Sequence, residues 1–235
     1  MQVLKALASE THMDIFSWKD PLTWPKFLGK NEALDLNIDE DLMWQFYNNY
    51  DYIRVYHAAR PTDLNLYYKN GLKVSNYREL EKEFSRNMKT NFDIDITKEH
   101  LDLARKEIGE FHNGRLFVVL DDTDLLNHAG HYAIYGSEYI CAIANRIFHK
   151  FKVGGSRYLK EIGTPTVFEL LLGINHISEY DLKQLVCQVN NYIHYDEIAL
   201  NIDFTIELQR SLDGSSIVQH YHPKRVTDLF ERGLA

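Results

Sequence analysis

Residues 202–208, Ile-Asp-Phe-Thr-Ile-Glu-Leu, alternate apolar and polar without a break. A two-residue period belongs to a β-strand, and here it puts Ile202, Phe204, Ile206 and Leu208 on one face and Asp203, Thr205 and Glu207 on the other. Such a strand needs partners to pair with and an apolar layer to cover one face. The chain supplies both. Arg115-Leu-Phe-Val-Val-Leu is a continuous apolar run ending in Asp121-Asp122, the composition of a buried central strand. Tyr52-Ile-Arg-Val-Tyr-His, a brief Lys73-Val-Ser, His131-Tyr-Ala-Ile-Tyr, Pro165-Thr-Val-Phe-Glu-Leu-Leu-Leu-Gly-Ile and Ser216 to His222 also read as strands. Asp213-Gly214 marks the turn before the last of these, and Pro223 closes it.

Helical spacing fills the intervals. Leu42, Phe46 and Tyr50 share a face between Asp39 and Tyr50, with Asp39, Glu40 and Asp41 suited to the positive helix start. Pro61-Thr-Asp introduces a short helix through Leu64, Tyr67 and Tyr68, which Gly71 ends. Residues 77–110 read as amphipathic helices with a solvated outer face. Ser137 is placed to cap a helix through Tyr139, Ile143 and Ile147, and Tyr180 to Tyr192 forms another. The expectation is an α+β fold with a largely helical N-terminal extension over 1–50, irregular through 38, and a main domain over 51–235.

With 45% hydrophobic and 26% charged residues, the composition is that of a folded globular protein. A net charge of −8 rules out a global positive field for nucleic acid or an anionic membrane, so any such contact needs a local basic site. Lys150, Lys152, Arg157 and Lys160 form one such cluster, ordinarily a solvated face. Cys141 and Cys187 lie in apolar helices and read as core thiols of a reducing, cytoplasmic compartment. No apolar run approaches a membrane span, and Glu10 arrives too early for a signal peptide.

Several chemistries are excluded by their motifs. No Gly-x-Gly-x-x-Gly follows a strand, and Gly154-Gly155-Ser lacks the third glycine and the lysine of a phosphate loop. There is no Gly-x-Ser-x-Gly. His128 with His131, and His220 with His222, have ligand-like spacing, but without Cys-x-x-Cys or His-Glu-x-x-His no metal is expected.

What remains is a histidine ending one strand, with two tyrosines around a later turn. The stretch Arg54-Val-Tyr-His-Ala-Ala-Arg-Pro-Thr-Asp-Leu-Asn-Leu-Tyr-Tyr-Lys-Asn-Gly-Leu resembles the first motif of the diphtheria-toxin and poly(ADP-ribose) polymerase-like ADP-ribosyltransferases. Gly130-His-Tyr-Ala-Ile-Tyr-Gly-Ser137-Glu-Tyr139 resembles their second motif, and Val167-Phe-Glu-Leu-Leu-Leu-Gly-Ile the strand that follows it. The resemblance runs from Tyr52 to Val226 and implies the split β-sheet of that clan, flanked by helices.

It further implies NAD as a consumed substrate. His57 would hydrogen-bond the nicotinamide-side ribose, with Ala58 and Arg60 beside it and Arg60 reaching the pyrophosphate or capping local carbonyls. Tyr132 would be the motif tyrosine, Tyr139 the ring stacked on nicotinamide, and Ser137 part of the same cofactor-binding set. Aromatic faces suit a flat cationic ring, and imidazole offers a donor and an acceptor to ribose hydroxyls. The third motif of the clan supplies a glutamate near a late strand. The acid here stays open between Glu207, the leading candidate, Asp213 and Glu169, or none of them. Mono-ADP-ribosylation of a protein or nucleic acid is therefore expected, in the manner of intracellular toxins and phage-defence effectors, with an antitoxin or inhibitor protein as a further partner. The rival readings are a non-catalytic NAD-, RNA- or protein-binding module of the same fold, a tRNA 2′-phosphotransferase type, and a hydrolase built on the histidine pairs.

Overall fold

Alternation of Ile53, Val55 and Ala59 with Tyr56 and Ala58 gives strand β2 (Tyr52–Ala59) two apolar faces, so it lies in the middle of a sheet covered on both sides. The computed structural model describes residues 14–28, 40–109, 113–195 and 205–228. Within them six strands form one sheet: β1 (Ile15–Phe16), β2, β3 (Leu116–Val119), β4 (Thr166–Gly173), β5 (Thr205–Leu208) and β6 (Ile217–Tyr221). The order is β5-β3-β2-β4-β6, antiparallel throughout, and β1 adds to β2 in parallel.

β4 pairs with β2 along its whole length, from Tyr52↔Gly173 to Ala59↔Thr166. The other edge of β2 is shared. β1 takes Tyr52 and Ile53, whereas β3 meets β2 at the single pair Tyr56↔Val119. Beyond that pair the two strands part, and the His57 side chain bridges the parting to the Phe117 carbonyl.

Helices occupy both faces. On one, Leu42 and Phe46 of α1 (Glu40–Asn49) and Leu185, Val186 and Val189 of α8 (Glu179–Tyr195) pack on Ile53, Val55, Leu116, Val118, Leu170 and Leu172. Tyr67 of α2 (Leu64–Asn70) stacks on Phe168 in the same core, with ring centroids 4.8 Å apart. On the other face Tyr56, Ala58, Val119 and Val167 meet Leu125 of α5 (Asp122–His128) and Ala133 of α6 (His131–Tyr135). A third core joins α3 (Tyr77–Phe92), α4 (Lys98–Ile108) and α7 (Glu138–Phe151) through Phe84, Met88, Ala104, Ile143 and Ile147.

The α+β expectation, with a sheet flanked by helices, holds at this level. Two expected strands do not form. His131–Tyr135 is a short helix, because Ala133 and Tyr135 are both needed in apolar cores and one helical turn delivers them there. Lys73-Val-Ser stays irregular, and the one bridge beside it is Leu72↔Leu212. Gly71 ends α2 at φ +73°, where a Cβ would fall 1.8 Å from the Leu212 carbonyl oxygen, so only glycine admits that bridge. The alternating strand is seen over Thr205–Leu208, with Ile206 and Leu208 buried as its pattern requires, while residues 202–204 lie outside the described residues. Cys141 and Cys187 are buried free thiols. Among the described residues no helix is long and apolar enough to cross a membrane.

Candidate functional site

The chain leaves β2 through Arg60-Pro-Thr-Asp63 and turns into α2. Asp63 caps that helix by accepting the Asn65 amide at 2.9 Å. Gly136 ends α6 at φ +81°, and Ser137 starts α7 by accepting the Ile140 amide at 3.3 Å, as its position in the sequence predicts. These two junctions face each other. With α3 and the short 3-10 helix at Ser156–Glu161 they line a pocket of about 260 Å³.

Its apolar wall is Tyr67, Leu80, Phe84, Tyr135 and Ile140. Its polar groups are Arg60, Thr62, Asp63, Glu83, Asn87 and Ser137. Arg60 is committed to the scaffold: Nε donates to the Ile162 carbonyl at 2.7 Å and Nη2 to that of Lys160, so its guanidinium closes the pocket wall. Of the two roles open to Arg60, the structure gives it the capping of carbonyls. Tyr67 is held neutral by burial and by the nearby Glu83 charge, which together push its phenol up to about 12. Burial and the Asp228 carboxylate, which accepts from the Tyr135 hydroxyl at 2.7 Å, raise the Tyr135 phenol well above its ordinary value. The pocket therefore presents flat neutral rings and two carboxylates against one engaged guanidinium, which suits a planar cationic group.

Of the residues expected at the site, Arg60 and Ser137 line this pocket. His57 stands three residues before it. Its Nδ1 lies 2.8 Å from the Phe117 carbonyl, which only accepts, so Nδ1 carries the proton and Nε2 is left as acceptor. Burial lowers the imidazole pKa against the opposing pull of that hydrogen bond. Ala58 is buried on the α5–α6 face. Tyr132 packs on that same face, and its hydroxyl donates to Glu138 Oε2 at 3.0 Å. Tyr139 is stacked on Tyr77, with centroids 3.6 Å apart, and its hydroxyl donates to Glu81.

The three candidate acids lie elsewhere. Glu207 pairs with Arg115 at 2.8 Å; the register Tyr56↔Val119 and Phe117↔Glu207 puts it on the face of the sheet opposite His57. Glu169 is buried between Gln219, at 2.7 Å, and Arg54, at 3.3 Å. Asp213 is exposed at the turn before β6. The structure thus joins parts of the two motif segments in one pocket and leaves His57, Tyr132, Tyr139 and Glu207 outside its lining.

Sequence reasoning missed α3 as a wall of the site. Leu80, Glu83, Phe84 and Asn87 follow the i, i+3, i+4, i+7 stripe of one helix face, on which Phe84 is buried and Glu83 exposed. Two polar residues on an apolar stripe were the available signal.

The histidine pairs do not converge either. His220 Nδ1 meets the Tyr68 hydroxyl at 2.7 Å, His222 Nδ1 lies 3.0 Å from the Pro165 carbonyl, and His128 pairs with Asp124. Among the described residues no group of three metal-ligating side chains forms. The basic cluster is partly neutralised, Lys150 by Glu107 and Lys160 by Asp228. Comparison with known proteins returns no match to a family model, a curated protein or a solved structure.

Proposed function

We propose that this chain binds NAD at the pocket between Arg60–Tyr67, α3 and Gly136-Ser137, and transfers ADP-ribose from it to a macromolecular acceptor with release of nicotinamide. The observation that supports this reading is the meeting of two segments far apart in the chain. Both resemble NAD-site motifs of the ADP-ribosyltransferases, and both line one pocket of about 260 Å³. That volume is below the usual range for a whole drug-sized ligand, so it takes one end of the dinucleotide and leaves the remainder outside. The parting of β2 from β3 after Tyr56↔Val119 is compatible with the split sheet of that clan.

In this reading the rings of Tyr67, Phe84 and Tyr135 form a slot for the pyridinium, and the carboxylates favour its positive charge. His57 acts from behind the pocket, where its bond to Phe117 fixes the strand from which Arg60 departs. The acceptor is a protein or a nucleic acid.

A second reading, an NAD-binding module without chemistry, is favoured by the ion pair that holds Glu207 to Arg115 away from the pocket. Incubation with radiolabelled NAD and lysate, divided between protease and nuclease, separates the two. Label transferred to macromolecules supports transfer and identifies the acceptor class. NAD binding with neither label transfer nor nicotinamide release supports the module.

A further inference from the structure

We infer that Glu83, on α3, is the carboxylate that stabilises the ribosyl cation as nicotinamide leaves; this rests on the reading of the pocket as the NAD site. Among the described residues the pocket's carboxylates are Asp63 and Glu83. Asp63 is engaged as the cap of α2, whereas the ion pair of Glu83 with Arg86 is long, at 3.8 Å. The backbone beneath Glu83 is rigid. α3 is capped by Asn76 and anchored by Phe84 and Met88, both buried, so Glu83 is presented from a fixed helix turn rather than a loop.

The chemistry follows from that placement. The Glu83 side chain is half-exposed, so its carboxylate is open to an approaching acceptor. Its charge already reaches the Tyr67 phenol across the pocket. The bond between ribose C1′ and the pyridinium nitrogen breaks with both electrons going to nitrogen, so neutral nicotinamide departs. The positive charge left at C1′ and the ring oxygen is stabilised by the Glu83 carboxylate. The nucleophilic atom of the acceptor, or water, then bonds to C1′, and its proton passes to Glu83 and on to solvent.

The test compares wild type, Glu83→Gln and, as a surface control on α4, Glu99→Gln. Nicotinamide release and calorimetric NAD binding are measured for each. Glu83→Gln is expected to slow release by about 100-fold, the scale of losing one transition-state electrostatic contact, with NAD affinity within about threefold. Glu99→Gln is expected to match wild type in both measurements. Release by Glu83→Gln at the wild-type rate overturns the assignment, as does loss of NAD binding in proportion to turnover, which would make Glu83 a binding group only. A wild-type chain that neither binds NAD nor releases nicotinamide overturns the underlying reading instead.

Discussion

The Tyr139 hydroxyl donates to Glu81 Oε1 at 2.5 Å, while Arg105 reaches both Glu81 oxygens from α4. Glu81 is only 4% exposed, so this trio is what makes a buried carboxylate tolerable between three helices. Tyr139→Phe removes one hydrogen bond to a charged acceptor and is expected to cost about 1.5–3 kcal/mol in urea unfolding. A loss of NAD affinity larger than this loss of stability would return Tyr139 to the ligand site.

Arg105→Met leaves the Glu81 carboxylate buried without its countercharge. The expected cost is about 3–5 kcal/mol, and combining it with Glu81→Leu restores much of the loss. The double-mutant cycle by denaturant midpoint gives the coupling directly.

Stability falls on both sides of neutrality. His57 is held neutral in the fold with its pKa lowered by burial, so its contribution is present above about 6.5 and is lost as pH falls through the depressed value. Tyr50, Tyr56 and Tyr67 are raised to about 12, chiefly by burial, so theirs is present below about 10 and lost as pH rises towards 12. Melting temperatures between pH 5 and 7.5 for wild type and His57→Gln check the acid side; the variant is expected to show the flatter dependence.

At Gly136 an added Cβ would sit 3.2 Å from the Arg60 Cβ, at φ +81°. Gly136→Ala is therefore expected to destabilise by about 1–2 kcal/mol from backbone strain alone and to displace Arg60 from its carbonyls. Weaker NAD binding, measured by calorimetry, should accompany the lower denaturant midpoint.

Much of the scaffold was legible because local pattern and tertiary need agree. Ser137 as a cap, the end of α2 at Gly71, and the burial of Ile206 and Leu208 on one strand face all follow from short-range chemistry. His131-Tyr-Ala-Ile-Tyr misled because five residues between glycines satisfy either period. The tie is broken by distant groups: Asp228 takes the Tyr135 hydroxyl, and Gly130 packs against the Thr227 carbonyl. The site was legible only in part. Arg60 and Ser137 stand beside strong local signals, but Glu83 becomes a wall of the pocket only when α3 is laid across the exit of β2, and its place on the helix stripe does not by itself report that long-range event.

The most direct test of the NAD pocket is a calorimetric titration with NAD of wild type and Asn87→Trp, with nicotinamide release followed in the same samples. Asn87 lines the pocket from α3, and an indole there fills it from one wall. The account predicts saturable binding and nicotinamide release by wild type, both lost in Asn87→Trp while its melting temperature is kept. Equal binding by the two proteins, or none by wild type, would contradict it.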